Sequence, residues 1–177
     1  MKELPTLGFV EAIKLASSRI LDFKGRSRRS EFWWWMLVVI VAGWILDMFT
    51  SNLLVNAITS IISMFFGLAA TARRLHDSGK SALWVYISYA LGCLFNLYFS
   101  TSTTMNKLME EASYGSISQH AMEKIVENGM GEMACIGLLS FIHGLMALIV
   151  FIMCLFDSKP EPNQYGESPK YINETEA

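Results

Sequence analysis

The chain has 177 residues, 53% of them hydrophobic and only 17% charged, with a formal net charge of −2. A soluble domain usually carries about 25% charged residues. Here the shortfall is concentrated in four apolar runs, which excludes an ordinary soluble domain and selects an all-α integral membrane protein.

Residues from about Thr6 to Phe23 carry Phe9, Ile13, Ala16 and Ile20 on one helical face. The run is too short and too charged to span. Two placements are open to it: an interfacial helix lying in the headgroup region, or a helix packed on the rest of the protein. A basic connector follows, completing a segment over residues 1–31.

The first span is expected over 32–49, entered through the aromatic belt Phe32-Trp33-Trp34-Trp35. Thr50-Ser51-Asn52 is the only polar break before the second span, 53–72, so the two form a tight hairpin. Gly67 and Thr71 in the second span are a small-x-x-x-small pair that permits close helix approach.

The third span is expected over 82–99 and the fourth over 133–156, making a four-helix bundle. Between them, the 100–132 segment reads as two short amphipathic helices. Met105, Leu108, Met109 and Ala112 mark the first. A break at Gly115 and a capping box from Ser116 to Gln119 open the second, which Gly129 closes. The tail, 157–177, is rich in Pro and Gly and is expected to be extended or turned.

Cys93, Cys135 and Cys154 fit neither a metal spacing nor a disulfide framework, and they are expected to be buried thiols. No metal and no cofactor is expected.

Lys and Arg set the orientation. Residues 1–31, the loop after the second span and the tail hold all but Lys107 and Lys124 of the basic residues. Four spans put these three segments on one side, and the positive-inside bias makes that side, with both termini, cytoplasmic.

Three polar motifs therefore converge at one membrane face. The first carries Arg26, Arg29 and Glu31, the second Arg73, Arg74, His76 and Asp77, and the third Asp157, Asn163 and Tyr165. A guanidinium is a planar fork that suits carboxylate or phosphate. The cluster therefore serves either as an internal ion network holding helix ends together or as a site for an anionic lipid headgroup. His76 and Asp77 are adjacent on a helix and point about 100° apart, so their adjacency makes no catalytic dyad.

Two polar residues fall within the spans. Asp47 lies near the far end of the first, where it reaches water or the Thr50-Ser51-Asn52 turn. His143 lies near the middle of the fourth, where an ionisable group is a functional hypothesis by default. The competing reading is a neutral histidine hydrogen-bonded to Asn56, Ser63 or Asn96.

Gly25-Arg26-Ser27-Arg28-Arg29-Ser30-Glu31-Phe32-Trp33, then Ala72-Arg73-Arg74-Leu75-His76-Asp77-Ser78-Gly79-Lys80-Ser81, then Asp157 with Asn163-Gln164-Tyr165-Gly166-Glu167-Ser168-Pro169, resemble the DUF805 family of small bacterial inner-membrane proteins. The resemblance implies a four-span protein of the bacterial inner membrane and supplies no activity. Ala82-Leu83-Trp84 stands where the family more often has Gly-Trp-Trp, and the 100–132 segment is longer than usual.

No nucleophile or metal-ligand pattern is evident, so the expected function is non-enzymatic. The cytoplasmic cluster is expected to meet anionic membrane lipids or a partner protein, which includes another copy of this chain, and no nucleic acid. The rival is an oligomeric small transporter or channel component with His143 and Asp47 on its path.

Overall fold

A computed structural model describes residues 1–113 and 119–172. Its helices are α1 (Phe9–Ser18), α2 (Arg29–Asp47), α3 (Leu53–Asp77), α4 (Leu83–Thr101), α5 (Thr103–Ser113), α6 (Gln119–Asn128) and α7 (Met130–Leu155). Strands β1 (Lys2–Glu3) and β2 (Tyr171–Ile172) pair antiparallel and clasp the two ends of the chain together.

Among the described residues, α2, α3, α4 and α7 are the helices long and apolar enough to cross a membrane. The shortest have 19 residues, about 28 Å of helix at 1.5 Å per residue, which matches a ~30 Å hydrocarbon core. The protein is an all-α membrane bundle. The packed pairs are α2 with α3, α3 with α4, and α4 with α7, and α1 lies on α2. No comparable seam joins α7 back to α2.

The second span runs further than its apolar run suggests. The boundary expected at Ala72 moves to Asp77, so Arg73, Arg74, His76 and Asp77 lie on helix and not on a loop. Charge normally marks an exit from the membrane. Here each charged group finds an internal partner, so the helix has no reason to stop. It ends in a Schellman turn, in which the Gly79 amide donates to the His76 carbonyl and the Lys80 amide to the Leu75 carbonyl.

Gly79 has φ +77°, and a β-carbon there would lie 2.6 Å from Lys159 Nζ. Gly79→Ala is expected to cost about 1–2 kcal/mol for the left-handed conformation alone, with more if Lys159 cannot swing away. The loss would be read as a lower detergent melting temperature. An unchanged melt would mean that the turn has relaxed.

At the other end of the hairpin, the Asn52 side chain caps α3 by accepting from the Leu54 and Val55 amides. Asp47 bonds neither this turn nor water alone. Its carboxylate accepts from the Thr59 hydroxyl at 2.6 Å, because two helical turns into α3 the two helices already face each other.

Other expectations are adjusted by packing. The first span begins at Arg29 and ends at Asp47, and the fourth begins at Met130. Trp35 is no belt residue: it is buried, and its indole N–H donates to the Phe66 carbonyl at 2.9 Å. Cys154 is buried, but Cys135 is exposed. Gly67 does bring helices close, since a β-carbon there would meet the Tyr89 hydroxyl at 3.0 Å.

α1 is shorter than expected. It buries Ala12 and Ala16 against the bundle and leaves Val10 and Leu15 exposed, as is Leu21 just beyond its end. α5 and α6 are the two short helices expected between the third and fourth spans. The expected Gly115 break and the Ser116 end of the capping box lie outside the described residues.

Most buried side chains lie in the half of the bundle next to the α3–α4 turn. They include Phe32, Trp35 and Val39 of α2, Ala69 to Asp77 of α3, Val85 and Ser88 of α4, and Val150 and Cys154 of α7.

Candidate functional site

Three arginines organise this end of the bundle. Arg73, Arg74 and Asp77 are 0% exposed, Glu31 1% and Arg26 3%. Burying such charges is costly unless each is paired and hydrogen-bonded. The sequence meets that condition in two ways, with carboxylates and with the carbonyl oxygens left unpaired at helix C-termini.

Asp77 is the hub. Its carboxylate accepts from Arg26 Nε at 3.0 Å, from Arg74 Nη1 and from the Ser158 hydroxyl. Glu31 serves Arg73. The Ser27 hydroxyl donates to Glu31 at 2.8 Å and accepts from Arg73 Nε at 3.0 Å, while Arg73 Nη2 faces Glu31 at 3.5 Å without forming a hydrogen bond.

Each guanidinium also closes a helix end. Arg73 donates to the carbonyls of Arg19 and Asp22, just beyond α1. Arg74 donates to those of Cys154 and Phe156 at the end of α7. Arg26 donates to the Asp77 carbonyl at the end of α3 and to Lys159, Glu161 and Gly166 of the tail. A cation at a helix C-terminus also complements the helix dipole. Three buried guanidiniums face two buried carboxylates here, with the part-exposed Arg19–Asp22 pair beside Glu31, and the carbonyls answer the remaining positive charge.

The tail folds over this cluster. Asn163 and Gly166 bond each other's backbone in a tight turn, with the Tyr165 amide on the Asn163 side chain. The Asn163 amide donates to the His76 carbonyl at 3.0 Å. The Tyr165 ring stacks on His76 with centroids 3.7 Å apart and planes 8° from parallel.

The structure thus brings Arg26, Glu31, Arg73, Arg74, His76, Asp77, Asn163 and Tyr165 together. Arg29 and Asp157 stand apart from them on the exposed rim, 3.7 Å from each other. Ser27, Ser158 and the carbonyl acceptors were not singled out by the sequence. Ser27 could have been, since it sits four residues before Glu31 inside the first motif. The carbonyls leave no trace in residue identity.

On the rim, Asp157 accepts from Lys170 Nζ at 2.9 Å, and Lys170 also pairs with Glu3. The Lys170 hydrogen bond holds the Asp157 carboxyl below its ordinary value, and the same bond raises Lys170 above its own. A depressed carboxyl contributes stability above its unfolded value of about 3.9 and loses it as pH falls through the lower folded value. A raised lysine contributes below about 10.4 and loses it as pH rises further. The chain-end clasp is therefore expected to hold between about pH 4 and pH 10. In NMR, Asp157 should titrate below 3.9 and return towards it in Lys170→Met. A midpoint unmoved by that substitution would exclude the pairing.

His143 lies far from the cluster. It reaches none of Asn56, Ser63 or Asn96. The Asn96 side chain instead donates to the Gly92 carbonyl on its own helix, and His143 packs beside Phe95. Among the described residues, no group of three or more His, Cys, Asp or Glu side chains is placed to hold a metal ion.

Four membrane-crossing helices tied at one end by a buried, internally paired ion cluster define a multi-pass membrane protein. The chain belongs to the DUF805 family, described as a protein of unknown function, which matches residues 20–167. That range takes in all three motifs of the cluster. No curated protein and no solved structure matches the chain.

Proposed function

We propose that this is a non-enzymatic protein of the bacterial inner membrane, with both termini in the cytoplasm, whose basic face docks anionic lipid headgroups. What carries the reading is the division of the cations at that face. Arg26, Arg73 and Arg74 are occupied by internal partners, whereas Lys14, Lys24 and Arg29 are exposed.

Lys14 lies on α1 and Lys24 and Arg29 follow it, while Val10 and Leu15 of α1 and Leu21 just beyond it are uncovered, a combination suited to the headgroup layer. Attraction to anionic lipid is about 1 kcal/mol per basic residue near the surface. The buried cluster then acts as the clamp that holds this face in shape.

The test is native mass spectrometry of the detergent-extracted protein titrated with phosphatidylglycerol or phosphatidylcholine. The comparison is wild type against Lys14→Gln/Lys24→Gln/Arg29→Gln. Loss of three such contacts is about 3 kcal/mol, on the order of a hundredfold in phosphatidylglycerol affinity. Equal affinity in the two proteins would overturn the reading, and a co-purifying protein lost with the same charges would replace lipid by a protein partner. A reporter fused after Glu176 should read out in the cytoplasm, and readout on the far side would overturn the orientation.

A further inference from the structure

The missing seam between α2 and α7 leaves a cleft of about 320 Å³, open at the side, along the membrane-spanning part of the bundle. That is the lower end of the range for small-molecule sites, which are mostly apolar with a few placed polar groups. Its walls are Met36 and Ile40 of α2 and Ala147 and Phe151 of α7, with Met64 and Tyr89 behind. At the cluster end, Trp33 and Phe151 close it edge to face, 5.7 Å apart.

The polar groups in this lining divide into spent and unspent. The Thr71 hydroxyl donates to the Gly67 carbonyl at 2.8 Å, so the Tyr89 hydroxyl, 3.0 Å away, donates to Thr71. Both protons are used. Ser88 and His143 also line the cavity; among the described residues neither side chain forms a hydrogen bond, and the buried atom left without a partner is His143 Nδ1. The imidazole is held in place all the same, because its tip lies against Gly92, where a β-carbon would come within 2.9 Å of Cε1. A fixed, unpaired imidazole beside an apolar cavity is a costly arrangement for a protein that binds nothing there.

Depth narrows the ligand. His143 sits at the middle of α7, so the ester oxygens of a bilayer phospholipid lie about half of a ~30 Å core away, roughly 15 Å. An acyl chain could fill the space but could not satisfy the nitrogen. We infer that the α2–α7 cavity binds an uncharged, membrane-dissolved carbonyl compound of the quinone type, its oxygen hydrogen-bonded to His143 and its ring against the aromatic and methionine walls. No electron transfer is required of it.

The test is titration of the full chain in detergent with decylubiquinone, followed by native mass spectrometry and by melting temperature. Decylbenzene, which has no oxygen, is the control probe. Wild type should form a one-to-one adduct with the quinone and melt higher. His143→Phe keeps the packing beside Phe95 and should bind the quinone about tenfold more weakly. Ala147→Phe fills the cavity and should abolish the adduct while still folding, so a misfolded His143 variant would not leave the site untested. No adduct with wild type, equal quinone affinity in His143→Phe, or decylbenzene binding as tight as the quinone would each overturn the assignment.

Discussion

Asp77→Asn is expected to be the most damaging single substitution in the chain. The amide keeps the shape of the carboxylate but leaves Arg26 and Arg74 with no anion at a site that water does not reach. Breaking a buried pair in this way costs about 3–5 kcal/mol, against a total stability of about 5–15 kcal/mol for an ordinary folded protein. Little folded protein should accumulate in membranes, and what is extracted should melt many degrees lower.

A companion variant separates the two duties of the cluster. Arg26→Met/Arg74→Met/Asp77→Leu removes the ion pairs and their desolvation cost together, which in other proteins is often neutral or better. Here it also strips hydrogen bonds from the carbonyls of Asp77, Cys154, Phe156 and the tail, so it should stay destabilised. A triple variant as stable as wild type would show that charge pairing alone matters. Asp77→Asn melting within a degree or two of wild type would dismiss the cluster as a structural core.

Arg74→Met should come next in size and act at a different place. Asp77 keeps Arg26 and Ser158, so the net charge of the cluster improves. The loss falls on the end of α7, where the Cys154 and Phe156 carbonyls lose their donor. Each buried acceptor left unpaired costs about 1–3 kcal/mol. The tail follows directly from that end, so trypsin should cut after Lys170 well before it reaches the bundle; Lys159 precedes Pro160 and is no trypsin site. Arg29→Met is the control, since Arg29 is half exposed and its pair with Asp157 is worth at most about 1 kcal/mol. Equal digestion of the Arg74 and Arg29 variants would mean that the α7 end is held by something else.

The four spans were legible because apolar runs of the required length have no other use in a chain this poor in charge. The convergence of the motifs was legible too, because an even number of spans returns alternate connections to one side. The way the motifs join was not. Composition reads Arg73 and Arg74 as residues outside the membrane, whereas the protein itself supplies the polar surroundings that let α3 run on to Asp77. Asp47 with Thr59, and His143 with nothing, depend on helix rotation, which hydrophobic periodicity cannot set in spans that are apolar nearly all round. The α2–α7 opening depends on which helices pair, and that is written in no single segment.

Arg26 is set early in the chain and its acceptors late. The carbonyls of Lys159, Glu161 and Gly166, the Ser158 hydroxyl on Asp77 and the β2 strand all come after the last span. While the nascent chain is being inserted, the first three spans therefore enter the bilayer with their guanidiniums only partly satisfied. The cluster closes as the final act of biogenesis, and a ribosome that stalls within the last twenty residues or so would release a protein with every span in place and its lock undone. Such a product carries unpaired charge at the membrane surface, a feature by which quality-control proteases could tell it from the finished molecule.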